Sequence, residues 1–263
     1  AAEASISTKR VAAEQIANEL NLPIIRLIDG TGGGGSVKTL DPNEHSKGSI
    51  SANTYGRGAR TYVPLNPGWE YVISNLATVP TVSLCLGPVA GLGAARAVSS
   101  HYSVMVKDLS QLFVAGPPVV NALGIEEVDK ESLGGSRIQA RKGSIDDEVE
   151  SEEEAFAAAR KFLSYLPSST FENSEKLSTE DSTSRTDPNL NDIIPRDRRK
   201  VYRMRNIIES VFDVHSFFEM SSSFGRSAIT GLARLDGWPV AVLAGDPYHY
   251  GGGWTADAAQ KVV

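Results

Sequence analysis

The chain has 263 residues, 41% of them hydrophobic, enough for one large core or two modest ones. Its 26 basic residues are outnumbered by 32 acidic ones, and the net charge of −6 argues against a nucleic-acid binder, where clustered positive charge is expected. A single cysteine excludes an internal disulfide, and no run of 18 apolar residues predicts a membrane span.

The chain opens without Met or a signal peptide and stops at Val263 inside a helix-like run, so both ends read as cut. Ser7 to Leu20 is predicted as an amphipathic helix with Ala13, Ile16, Ala17 and Leu20 on one face. Pro23 leads into a strand over Ile24 to Ile28, ended by Asp29 and a glycine cluster. A polar, irregular segment from about Lys38 to Pro67 precedes a helix over Trp69 to Ala77. A strand over Thr81 to Leu86 then runs into small residues, followed by a helix over Ala94 to Ser100 and a strand over Tyr102 to Val106. Strand, glycine turn, helix, strand is the rhythm of an α/β fold. Cys85, in the apolar strand, reads as a buried thiol in a reducing compartment.

Further on, Ser151-Glu152-Glu153-Glu154 fits a capping box ahead of a helix over Ala155 to Leu166, its acidic first turn complementing the helix dipole. Pro167 to about Asn191 is polar and aperiodic, as a linker would be. After Pro195 come a helix over Val201 to Ile208 and an aromatic patch (Val211, Phe212, Phe217, Phe218). A hairpin follows, Ile229 to Leu235 and Val240 to Ala244 around Asp236-Gly237. Thr8-Lys9-Arg10-Val11 and Gln260-Lys261-Val262-Val263 sit in similar settings at the two ends, a four-residue echo that either chance or an internal repeat gives.

Chemistry concentrates in the glycines. In Gly87-Pro88-Val89-Ala90-Gly91-Leu92-Gly93-Ala94-Ala95 no side chain can attack or take a proton. The turn can aim backbone N–H groups and a helix dipole at an oxygen that becomes negative, or it can be close packing of helix on strand. Gly30-Thr31-Gly32-Gly33-Gly34-Gly35 contains G-x-G-x-x-G after a strand, but no helix follows and no acidic residue stands about 20 positions on, as a dinucleotide site requires. It reads as a flexible loop or as a second oxyanion-type turn. His45, His101, His215 and His249 show no metal-ligand spacing, and G-x-S-x-G is absent. Gly116-Pro117-Pro118 and Leu133-Gly134-Gly135 read as turns, and Asp246 to Gly253 as an exposed loop.

Read continuously, the segments resemble the carboxyltransferase β-subunit of biotin-dependent acyl-CoA carboxylases, the propionyl-CoA carboxylase group above all. The resemblance is carried by Leu86-Gly87-Pro88-Val89-Ala90-Gly91, Val104-Met105-Val106-Lys107-Asp108, Leu112-Phe113-Val114-Ala115-Gly116-Pro117 and Glu131-Ser132-Leu133-Gly134-Gly135. It continues in Phe162-Leu163-Ser164-Tyr165-Leu166-Pro167, Ile194-Pro195, Ile207-Ile208-Glu209-Ser210-Val211-Phe212-Asp213, Phe217-Phe218-Glu219 and Gly231-Leu232-Ala233-Arg234-Leu235-Asp236-Gly237. The resemblance implies an α/β, crotonase-like fold, a spiral of ββα units. Residues 1–168 would be the later part of a first carboxyltransferase domain, 169–196 a linker and 197–263 the beginning of a second.

It also implies a function: transfer of a carboxyl group from carboxybiotin, borne on a partner carrier domain, to an acyl-CoA. The backbone N–H groups of Gly33, Gly91 and Leu92 would be the oxyanion donors, and Gly32, Gly87, Ala90 and Gly93 would line the cofactor. Leu92 stands where the family has glycine. Hydratases of the fold carry a glutamate where this chain has Ala95, and its serine peptidases place their nucleophile at Gly91, so neither chemistry is expected. The implied partners are a biotin carboxylase and a biotin carrier, within a homo-oligomer, a hexamer by resemblance. No metal, nucleic acid or membrane span is expected, and the place is intracellular, in cytoplasm or mitochondrial matrix. Residues 1–263 lack the second domain's glycine turn, so alone they are not expected to complete the transfer. The rival readings are an acyl-CoA decarboxylase of the same family and a non-catalytic structural paralogue, which Leu92 and the altered glycine cluster motivate.

Overall fold

Strand β2 (Thr81–Ala90) is the axis around which the first half of the chain is arranged. The computed structural model describes residues 3–30, 68–124, 127–179 and 181–263. The expected irregular segment before Pro67, with Gly32, Gly33 and His45, lies outside them. Helix α1 (Glu3–Leu20) leads to β1 (Ile24–Gly30), and α2 (Trp69–Thr78) leads to β2. Helix α3 (Leu92–Val98), β3 (Tyr102–Val106) and β4 (Gln111–Phe113) follow. Helices α4 (Pro117–Asn121), α5 (Lys130–Gly134) and α6 (Ser136–Lys142) then precede β5 (Asp147–Val149) and α7 (Glu152–Leu163). The five strands make a parallel sheet in the order β1-β2-β3-β5, with β4 pairing the far end of β2.

Val82 and Leu84 point to one face of β2, against Tyr102, Val104 and Phe162. Cys85 and Val89 point to the other, against Ala94, Met105 and Leu112. A strand covered on both faces reads as a continuous apolar run, which is why the sequence exposes it so plainly. It runs four residues further than Leu86. Pro88–Ala90 pair with β4, while a register shift between Ile28 and Gly30 of β1 absorbs the proline and glycine. Gly87 and Ala90 are thus strand residues, not turn residues.

Helix α1 corrects the expectation drawn from its apolar stripe. Its buried positions are Glu14 and Ala17, whereas Ile16 and Leu20 are 51% and 58% exposed and Ala13 is exposed too. The reason is an ion pair: buried Arg26 of β1 donates to Glu14 at 2.8 and 3.0 Å, and Asn75 of α2 donates to the same carboxylate at 2.9 Å. That pairing rotates the polar side of the helix inward. At α7, Ser151 caps the N–H of Glu154 as expected, but the Glu154 carboxylate takes the N–H of Glu150 rather than that of Ser151.

Residues 167–203 carry one short 3-10 turn (Pro188–Asn191) and no strand or α-helix among the described positions. They hold to the second sheet, Leu177 N–H donating to Gly237 O at 3.2 Å and Lys176 pairing with Asp236 at 2.7 Å. Helix α8 (Met204–Val211) packs on the antiparallel sheet β6 (Phe218–Met220), β7 (Ala228–Leu235) and β8 (Trp238–Gly245), and α9 (Ala256–Val262) follows. The β7–β8 hairpin is the expected one, with Asp236 and Gly237 both at positive φ (50° and 79°). Among the described residues no helix is long and apolar enough to cross a membrane.

The two sheets meet at a pair of carboxylates. Asp146 accepts from Ser103 N–H and Oγ (2.8 and 2.9 Å) and from Ser221 Oγ (2.6 Å). Asp147 accepts from Tyr102 Oη at 3.0 Å and from the Ser222 N–H. Burial pushes the Asp147 carboxyl up to about 6 against these hydrogen bonds, with help from the Asp146 charge.

Two outcomes follow from these buried charges. Glu14→Gln leaves the Arg26 charge unpaired in the interior, so urea unfolding at pH 7 should show a loss of about 3–5 kcal/mol, largely recovered in the Glu14→Leu/Arg26→Met double variant. For Asp147 the folded state holds the proton more tightly than the unfolded state does. Its contribution is therefore complete below the ordinary carboxylate range and is lost as pH rises through 6. The stability difference between wild type and Asp147→Asn should shift by up to about 3 kcal/mol between pH 4 and pH 7, with wild type losing ground as pH rises. A pH-independent difference in urea midpoints would refute this.

Candidate active site

The end of β2 is bent by one residue. Gly91 has φ 61° and ψ −126°, a conformation open to glycine and costly for any side chain. Space is not the issue there, because the nearest atom to a Cβ would be Val114 O at 3.9 Å. The Gly91 N–H donates to Phe113 O (3.2 Å) and Val114 O (3.1 Å), so it is turned toward the end of β4 rather than outward. The Gly91 carbonyl accepts from Ala95 N–H at 3.0 Å and starts α3.

Helix α3 begins at Leu92, two residues before the expected Ala94. Leu92 is not among the residues with positive φ, and its side chain is 48% exposed, so leucine is accommodated here without strain. The N–H groups of Leu92, Gly93 and Ala94 belong to the first turn, where a helix provides no acceptor of its own. They carry the positive end of the helix dipole.

Three further small residues explain themselves by contact. A side chain on Gly87 would collide with the Asp29 carboxylate, and one on Gly93 would lie 3.2 Å from Val89 Cγ1 and 3.8 Å from Gly30 O. Ala90 is buried and pairs with Phe113. Gly30 stands opposite Val89, so the second glycine cluster leaves β1 beside this turn. Its members Gly32 and Gly33 fall outside the described residues.

Residues 116–118 are more than a turn, since Pro117 and Pro118 open α4, where proline's missing N–H costs nothing. Gly134 is held against the Leu112 carbonyl, which fixes α5 on β4. Among the described residues, side chains near the bend offer no nucleophile. Burial pushes the Cys85 thiol up to about 12, so it stays protonated inside the core. His101 lies at the opposite end of β2, bonded to Thr81 and Leu76 O. A shallow groove lined by Leu76, Val79, Pro80, His101, Phe162 and Leu166 opens at that far end too, remote from the bend. Among the described residues no group of three His, Cys, Asp or Glu side chains is placed to hold a metal. What remains at the bend is backbone chemistry: N–H dipoles able to stabilise negative charge on an oxygen. Sequence reasoning missed both Asp29 against Gly87 and the Phe113 and Val114 carbonyls on Gly91, because residues 58 and 22–23 positions apart give no local signal.

The carboxyl transferase domain family matches residues 70–263. The propionyl-CoA carboxylase beta chain of Roseobacter denitrificans is 33% identical over 186 residues, covering 70% of this chain and 36% of the relative. The mitochondrial propionyl-CoA carboxylase beta chain of Homo sapiens is 33% identical over 170 residues, 64% of this chain and 32% of its own. The chain thus spans about a third of the length of these relatives. Transcarboxylase 12S, solved as a hexamer with hydrolysed methylmalonyl-coenzyme A bound, superposes with a TM-score of 0.79 over 98% of this chain and 47% of its own, at 24% identity. The α/β architecture with its parallel sheet is therefore crotonase-like.

If the Gly91 bend is set by backbone conformation, Gly91→Ala should cost about 1–3 kcal/mol in urea unfolding although nothing collides. Gly245→Ala, with ordinary φ and nothing within 4 Å of the new Cβ, should be nearly neutral. Equal costs at the two positions would refute the assignment.

Proposed function

Because the chain belongs to the carboxyl transferase domain family, we propose that it serves the carboxyltransferase step of a biotin-dependent acyl-CoA carboxylase, acting on a propionyl-CoA-like thioester. The observation that supports this best is the β2–Gly91–α3 bend inside the matched residues, a site of backbone donors with no side-chain nucleophile among the described residues. Carboxybiotin, on a separate carrier, supplies both the carboxyl group and the base when it is bound. The protein then needs only to position an acyl thioester and to stabilise the enolate oxygen, which backbone N–H groups do.

The residues of the bend fit that task. Leu92 and Gly93 N–H groups, at the start of α3, are the donors in this reading, while Gly91 sets the bend and Gly87 and Ala90 keep β1 and β4 close. Gly93 keeps the approach to the turn narrow in side chains, and Gly32 and Gly33 would add the facing donors from the segment after β1. We further propose the division into a first domain over 1–168, a connection over 169–196 and a second domain from 197. A biotin carboxylase and a biotin carrier are the proposed partners, and the proposed setting is an intracellular homo-oligomer such as a hexamer.

The test uses proline at the first helical position. Leu92→Pro removes one N–H where the helix tolerates proline, whereas Leu92→Ala keeps it. In the full-length enzyme, Leu92→Pro should lower kcat for carboxyl transfer about 10²–10³-fold with an unchanged thermal midpoint, and Leu92→Ala should stay within a few-fold of wild type. Equal activities of the two variants would overturn the donor role.

A further inference from the structure

Two oppositely charged runs of the chain both start from β6 and the turn after it. Residues 196–205 carry six cations against a single anion, Asp197, in a chain whose net charge is −6. Residues 146–154 hold seven carboxylates in nine positions. The inner ends of both runs meet the same stretch of chain at β6. Arg205 grips Glu219 of β6 at 2.5 and 2.7 Å, and Ser221, just beyond β6, donates to Asp146 at 2.6 Å.

Their outer ends are exposed. Arg196, Arg198 and Lys200 on one side, and Glu152 and Glu153 on the other, form no ion pair among the described residues. The helix start at α7 does not need Glu152 for its cap, because Ser151, Glu154 and Glu153, which is bonded to Ser151 and to its own N–H, supply those bonds. Concentrated like charge repels itself and favours an oppositely charged partner.

We propose that the basic run 196–203 docks on the acidic start of α7 in a second copy of this chain, the contact being made twice about a two-fold axis. A two-fold interface requires both halves of the contact on one face, and the shared attachment to β6 meets that requirement. A polyanion such as a nucleic acid would bring its charge against the acidic run beside the basic one. A two-fold related copy instead presents the two runs in complementary order. The inference rests on the homo-oligomer proposed above and names the segments that meet in it.

Charge reversal in the full-length protein tests it. Arg198→Glu/Lys200→Glu should raise the self-association dissociation constant at least about tenfold in sedimentation at about 50 mM salt, with the difference shrinking at about 500 mM. Glu152→Lys/Glu153→Lys should do the same. A chain carrying both reversals should return to within a few-fold of wild type, as should an equimolar mixture of the two double variants. Thermal midpoints of all variants report whether folding is preserved, and a neutral Arg198→Gln/Lys200→Gln variant serves if a reversal unfolds the chain. Oligomers that form but ignore every reversal, or weakening without rescue by the combined reversal, would overturn the docking and leave the proposed oligomer standing. A wild-type protein that stays monomeric would overturn both.

Discussion

The constraint on which the rest of the structure depends is that β2 must be satisfied on four sides at once. It has parallel partners on both edges and apolar layers on both faces. Such a strand, buried on both faces, cannot end with its backbone groups left unpaired. It ends instead at Gly91, whose N–H is taken by the β4 carbonyls and whose φ turns the chain at once into α3. The bend is therefore an outcome of strand packing, and the row of N–H groups at the start of α3 is a by-product of it.

That origin explains why the site needs so little side-chain chemistry. The N–H groups are held by the sheet, so the identity of Leu92 matters less than its helical φ. A side chain on Gly87 or Gly93 would press on Asp29 or Val89, so packing alone asks for small residues there. A site made this way is preorganised, which is the condition under which dipoles stabilise developing charge well.

Polar groups shape the remainder of the interior. The Glu14–Arg26–Asn75 network sets the rotation of α1 at the expense of its apolar stripe. Asp146 and Asp147 fasten the turn after β6 to β3. Burying these groups is costly unless every bond is made, so such contacts define one arrangement of elements more sharply than apolar packing alone would.

The sequence by itself determined what depends on neighbours within a few residues. The run from Thr81, the Tyr102–Val106 strand, the Ser151 cap and the Asp236-Gly237 hairpin were all legible, because period, capping and turn chemistry act over short spans. The family resemblance was legible too, carried by ordered motifs along the chain. Only the tertiary structure decided which face of α1 is buried, because the choice is made by Arg26 and Asn75 on other elements. It also decided that β2 continues through Gly87-Pro88 to Ala90, since β4 supplies the pairing from 23 residues away. And it decided that the Gly91 N–H faces inward while those of Leu92 and Gly93 open a helix. A glycine motif announces that the backbone will do something unusual. Where its hydrogen atoms point depends on partners that local sequence does not name.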